Sequence, residues 1–154
     1  IVKSSLALRA FPSDPSNIVA WFPAEAVSSA IVDATLMSFE KPQFTTINLV
    51  HPCPVPWDVI MSSMAGIAEL PMIPFPEWVQ RVRDRAMSAT AEDFENIPGI
   101  KLLDFLTSMA GKPANLEFST TKAQELSRSL RTLQPLDEKD VRRWMAYWRR
   151  KDFI

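Results

Sequence analysis

Tyr147 and Lys151 stand four residues apart, a spacing that sets both side chains on one face of a helix. There an ammonium could help a phenol give up its proton. Such pairs arise readily by chance, and Lys151 is read instead as a cation near a helix C-terminus, where the dipole favours it. His51 lies between an apolar run and a proline-rich turn. It suits a general acid, a substrate contact or a hydrogen-bonded structural residue. Cys53 has no neighbouring cation to stabilise a thiolate. Serines are plentiful, but no G-x-S-x-G can be written. One Cys and one His cannot build a Cys/His zinc site. Gly66, Gly99 and Gly111, the only 3 glycines, are too far apart for a phosphate-cradling loop, in which the backbone must turn sharply and come close to the phosphate. The residues alone therefore assign no catalytic residue, no cofactor-binding residue and no metal ligand.

The elements that would position these groups follow from apolar spacing. Ile18–Phe22 is β-branched and aromatic and stops at Pro23, so a strand is expected, followed by a helix over residues 24–37 with Val27, Ala30, Ile31, Ala34 and Met37 at helical spacing. Residues 45–50 read as a second strand, closed by His51-Pro-Cys-Pro-Val-Pro56. Pro56 suits a helix start, and Trp57, Ile60, Met61, Met64 and Ala68 stripe the helix that follows, with Asp58 in its first turn. Phe11–Ser16 reads as a turn and residues 72–75 as a short extended piece. Further helices are expected over residues 77–89, 99–110, 119–133 and 138–151, the last capped by Asp137. The helix at 99–110, with Leu102, Leu103, Phe105, Leu106 and Met109, is apolar enough to predict burial. The result is a helix-rich α+β piece with about six helices and two or three short strands, too few strands for an independent sheet.

The chain has 154 residues, of which 47% are apolar and 23% charged, enough for one globular core. The net charge of −1 gives no pull toward nucleic acid or anionic lipid. Its distribution is uneven: residues 1–78 hold only 3 of the 17 basic but 7 of the 18 acidic side chains. Arg142, Arg143, Arg149, Arg150 and Lys151 carry much of the positive excess. They interleave with aromatics as in a single-strand nucleic-acid binder. Val141, Trp144, Met145 and Trp148, however, fall at i, i+3, i+4 and i+7, the mark of a core stripe with a solvated basic face. A lone cysteine suits a reducing, cytoplasmic setting, and no apolar run reaches the ~20 residues of a membrane span. The opening Ile-Val-Lys-Ser-Ser, without Met, reads as part of something longer.

The punctuation resembles a known family. Trp21-Phe-Pro-Ala-Glu25 with the helix after it is similar to a stretch in the C-terminal part of thioester reductase domains. Asn48-Leu-Val-His-Pro-Cys-Pro-Val-Pro-Trp57 resembles a turn of fungal adenylate-forming reductases, the NRPS-like enzymes that reduce carboxylic acids. Pro74–Trp78, Lys101–Phe105, Phe118–Lys122 and Trp144–Trp148 are similar to their later helices, so the resemblance runs in order over residues 18–153. It departs at Cys53, a position often basic in the family. The resemblance implies an α/β fold of the extended short-chain dehydrogenase kind. Residues 1–154 would be a single partial domain, the C-terminal, substrate-binding portion. The N-terminal Rossmann portion would hold NADP and the catalytic Tyr and Lys. The whole domain would reduce an acyl thioester on a phosphopantetheinyl carrier protein to an aldehyde, and this portion would be inactive alone. Trp21, Pro23, Glu25, His51 and Trp57 are then the expected substrate-binding residues. Two other readings remain open: a self-standing helical protein-interaction module, and the C-terminal part of another extended short-chain dehydrogenase.

Overall fold

A computed structural model describes residues 1–40, 46–110 and 118–154. In chain order these form α1 (Val2–Leu8), β1 (Phe11–Ser13), β2 (Ile18–Val19), α2 (Ala24–Glu40), β3 (Val55–Pro56) and α3 (Trp57–Ala68). There follow β4 (Met72–Pro74), α4 (Phe75–Ala86), α5 (Ala91–Asn96), a 3-10 turn (Pro98–Leu102) and α6 (Leu103–Met109). The chain ends with α7 (Thr121–Leu126), α8 (Arg128–Arg131) and α9 (Glu138–Arg150). The protein is thus helix-rich α+β, as its apolar spacing implies. The described residues hold nine α-helices rather than about six, because α1 and α5 were not anticipated and the helix expected over 119–133 is split in two. Two compact units are present: Ile1–Asn17, Pro56–Ala114 and Asp137–Ile154 form the first, and Ile18–Val55 with Asn115–Leu136 the second.

In the first unit β1 and β4 pair in parallel, Phe11 opposite Met72 and Ser13 opposite Pro74. Phe11–Ser13 is therefore a strand where Pro12 suggests a turn. Each strand of this sheet has only one paired edge, so a proline can present its donor-less nitrogen to the unpaired side. Trp78 is fully buried and donates its indole N–H to the Ala10 carbonyl at 3.1 Å. It stacks on Phe75 and joins Val79, Val82, Ile97, Ile100 and Leu106 in one cluster. The α3 stripe is buried as expected through Trp57, Ile60, Met61 and Met64, and α3 packs along α9, whose Val141 and Met145 are buried.

The helix expected to be buried over 99–110 is different. It starts as a 3-10 turn, and α6 has only seven residues with one face against α4. Leu106 goes in, with Leu103 and Met109 beside it, while Leu102 and Phe105 point out at 55% and 59% exposure. A short helix buries one stripe, whatever its mean apolarity.

Asp137 begins α9 with a reciprocal capping box: its carboxylate accepts from the Lys139 and Asp140 N–H groups, and Asp140 accepts from the Asp137 N–H at 3.2 Å. Asp137→Ala is expected to cost about 1 kcal/mol, read as a lower urea midpoint with an unchanged slope.

In the second unit α2 packs on α7 and α8 through Ala30, Ala123 and Leu130, with Phe22, Ile47, Leu49 and Leu133 at the margin. The expected α2 stripe holds at Val27, Ala30, Ala34 and Met37, which are buried or partly buried, but Ile31 points out at 50% exposure, on the side of exposed Val32 and Leu36. The strand expected over 18–22 is only β2, paired with β3. No strand is found at residues 46–50; Thr45 lies outside the described residues. Ile47 and Leu49 still alternate inward between exposed Thr46 and Asn48, but the segment is tied by Asn48 Nδ2 donating to the Ser119 carbonyl at 3.1 Å rather than by a ladder. The split between α7 and α8 falls at Ser127, whose hydroxyl accepts from the Leu130 N–H at 3.0 Å and so caps α8. Serine favours such local backbone bonds over continuing a helix.

Candidate functional site

The second unit contains a cleft of about 290 Å3 lined by Ile18, Ala20, Val50, His51, Pro52, Pro54, Phe118 and Thr120. Its walls come from β2, the proline-rich turn and the approach to α7. Three prolines in residues 52–56 hold that turn extended, because each fixes φ and discourages the helical region in the residue before it.

His51 is the candidate residue that the fold brings to this cleft. Its ring is buried and lies edge-on to Phe22, with ring centroids 6.5 Å apart. Its backbone N–H donates to the Ala20 carbonyl at 3.4 Å, which ties the turn to the end of β2. Its Nδ1 accepts the Cys53 N–H at 3.1 Å. A nitrogen that accepts keeps its lone pair, so the neutral ring carries its proton on Nε2. The imidazole is therefore oriented by its own turn, with Nε2–H as its donor.

The other four candidates lie elsewhere. Trp21 follows Ala20 and is 40% exposed. Pro23 opens α2, its carbonyl accepting the Ala26 and Val27 N–H groups at 2.9 and 3.0 Å. Glu25 is exposed in the first turn of α2, where its charge suits the helix dipole. Trp57 belongs to the first unit, buried at the start of α3. Its Nε1 donates to the Pro12 carbonyl at 2.9 Å and its ring meets Phe75 edge-on. Beside it Asp58 accepts from the Ser13 hydroxyl and the Asp14 N–H, both at 2.8 Å, and so pins the turn after β1.

Phe118 and Thr120 were not among the expected site residues. They are some seventy positions from His51, and only their motif, Phe118–Lys122, showed in sequence. Tyr147 is half exposed beneath the Arg150 guanidinium, 5.6 Å from its ring centroid. Lys151 lies past the end of α9, where its N–H closes the last turn on the Tyr147 and Trp148 carbonyls.

Asp33 supports the second unit from α2. It accepts from the Ser127 hydroxyl and the Ser129 N–H, both at 2.9 Å. These bonds, the Ser129 backbone first, hold its carboxyl below the ordinary value of 3.8.

Neither described glycine suits a dinucleotide. Gly66 sits within α3, and Gly99 is packed against Ser4, whose Oγ accepts the Gly99 N–H at 2.9 Å and would lie 3.0 Å from an added Cβ. Gly99 serves a close approach in the core, not a phosphate turn. Among the described residues no group of three His, Cys, Asp or Glu is placed to hold a metal ion, and no helix is long and apolar enough to cross a membrane.

No protein-family model matches the chain. It is 39% identical to the adenylate-forming reductase Nps11 of Serpula lacrymans, over 98% of this chain and 15% of that protein. It is 30% identical to the non-reducing polyketide synthase dbaI of Emericella nidulans, over 96% of this chain and 6% of the synthase. It is 27% identical to the 3-methylorcinaldehyde synthase of a Phoma species, over 100% of this chain and 6% of that enzyme. The chain thus spans 15% or less of the length of these curated relatives. Helix-rich and matched nearly end to end, the chain belongs, as one segment, to the family of the fungal adenylate-forming reductases, which shares that segment with non-reducing polyketide synthases.

Proposed function

We propose that this chain is the substrate-side portion of an NADPH-dependent thioester reductase domain that releases a carrier-bound acyl group as an aldehyde. One observation carries the reading. Nearly the whole chain is matched by a reductase and also by an enzyme whose name states an aldehyde product. Reductive release would account for both names. In the overall reaction hydride adds to the thioester carbonyl carbon, the C–S bond breaks, and the phosphopantetheine thiol departs with a proton. The hydride comes from NADPH held by the remainder of the domain, since the glycines described here have other uses. The partners are that remainder and the phosphopantetheinyl carrier protein.

This chain's own contribution is to bind the acyl group and keep water from it. His51, oriented by its own turn, lines the cleft, Trp21, Pro23 and Glu25 shape the corner that enters α2, and Trp57 holds the start of α3. The test uses the intact reductase with an acyl group loaded on its carrier, following NADPH oxidation together with aldehyde. His51→Ala is expected to lower kcat/KM for release by about 10-fold while carrier loading stays normal. Release as free acid with no NADPH consumed would refute the reductase reading. Wild-type turnover by the variant would remove His51 from the site. NADPH binding by the 154-residue chain alone would contradict the division of labour.

A further inference from the structure

In the first unit α9 turns a basic face outward. Lys139, Arg142, Arg143, Arg149 and Arg150 are exposed, while Val141 and Met145 go into the core. The two ends of this face differ. In the first turns Glu138 pairs with Arg142, and Asp140 with Arg143 at 3.3 Å. Toward the C-terminus Arg149, Arg150 and Lys151 have no ion pair among the described residues, and Asp152 is the one acidic side chain in residues 146–154. Arg142 and Arg149 stand seven residues apart, two turns along one side of the helix, and form a row about 10 Å long. Arg142 also walls an open groove of about 460 Å3, lined besides by Glu138 and by Ser62, Ser63, Gly66 and Ile67 of α3. Gly66 is exposed there, and a Cβ added to it would meet no atom within 4 Å, so the groove has room for a partner's side chain.

The chemistry of the partner follows from charge and from the aromatic rings. Single-stranded nucleic acid stacks its bases on open aromatic faces. Trp144 and Trp148 are part-buried on the core stripe, and the Tyr147 and Phe153 rings lie under the Arg150 and Lys3 cations, each 5.6 Å from the centroid. The net charge of −1 adds no wider pull on a polyanion. A permanent protein neighbour, such as the remainder of the reductase domain, is held chiefly through apolar surface, whereas a charged, wet face suits a partner that docks and leaves. The carrier protein has to do that, arriving loaded and departing empty, and the phosphodiester at the root of its arm is anionic.

Building on the reductase reading, we infer that the outer face of α9, with the groove beside α3, is the docking surface for the anionic side of the carrier protein. Glu138 already meets the charge of Arg142, so Arg149 and Arg150 supply most of the attraction. Paired charges across such a surface speed encounter and fix orientation. Gly66 leaves the groove open for close approach.

The test uses the intact reductase and two substrates: an acyl group loaded on its own carrier, and the same acyl group as a free pantetheine thioester, which needs no docking. The double variant Arg149→Glu, Arg150→Glu is expected to slow single-turnover release from the carrier by about 10-fold, with kcat/KM for the pantetheine thioester unchanged. Arg149→Lys with Arg150→Lys keeps the charge and is expected to release at the wild-type rate. Gly66→Phe, which fills the groove, is expected to show the same split as the Glu variant. Salt at ~1 M, where the screening length is about 3 Å, should slow the wild type toward the Glu variant. Wild-type release from the carrier by the Glu variant or by Gly66→Phe overturns the inference, and so does an equal loss on both substrates, which marks a change of fold. An oligonucleotide bound by the wild type and lost by the Glu variant, with carrier release intact, gives the face to nucleic acid and overturns it too. All of these leave the reductase reading standing. Aldehyde from neither substrate in the wild type, with NADPH unconsumed, refutes that reading and this inference with it.

Discussion

Trp57→Ala is expected to destabilise the first unit by about 3–5 kcal/mol, the cost of emptying a large aromatic site in a packed core. The indole is 8% exposed, meets Phe75 edge-on at 6.3 Å and donates to the Pro12 carbonyl. Its backbone N–H also donates to the Asn17 carbonyl at 3.0 Å. One residue therefore ties the start of α3 to β1 and α4. Trp57→Phe keeps much of the ring but loses the indole donor, and about 1–2 kcal/mol is expected. Urea unfolding of the chain measures both. Because Trp57 is also expected at the substrate, the result separates two roles: wild-type stability in Trp57→Ala with impaired turnover in the intact reductase would place its function at the substrate.

Asp33→Ala should destabilise the second unit by about 2 kcal/mol, because two hydrogen bonds to a charged acceptor are lost at once. Ser127, 1% exposed, would keep its cap on Leu130 but lose the acceptor for its own proton. The Ser129 N–H at the start of α8 would lose its partner too. The effect depends on pH in a definite direction. Since the folded carboxyl titrates below its ordinary 3.8, its contribution is complete above that value and fades as pH falls through the lowered native value. The gap between wild type and Asp33→Ala should therefore close in acid. Asp33→Asn, which can still accept a hydrogen bond, should keep part of the stability without that pH dependence. Hydrogen exchange at the α8 amides reads both effects, and a gap that stays constant into acid would refute the assignment.

Much of the secondary structure was legible because its causes are local. Asp137 capped α9 as expected because an N-cap carboxylate bonds amides two and three residues on. Trp57, Ile60, Met61 and Met64 revealed α3 because every third or fourth residue falls on one face. Errors arose where a partner decides. Ile47 and Leu49 obey strand alternation, yet a strand also needs a neighbour, and here a side-chain bond from Asn48 takes the place of a ladder. Leu102 and Phe105 are as apolar as Leu106, but a seven-residue α6 with one neighbouring face buries only the last. Phe11–Ser13 became a strand because residues 72–74 lie beside it, some sixty positions along.

By itself the sequence determined the helix-rich class, the Asp137 cap, the α3 and α9 stripes and, through its ordered motifs, the family. It also put His51 among the candidates, through its place before a proline-rich turn and through the motif that carries the family resemblance. Only the tertiary structure decided which nitrogen of that imidazole accepts and that Trp57 is a core residue of the first unit. It alone brought Phe118 and Thr120 to the His51 cleft. The reason is range: periodicity and capping act within one or two turns of chain, whereas a cleft is made where segments about seventy residues apart pack together, and no local pattern encodes that meeting.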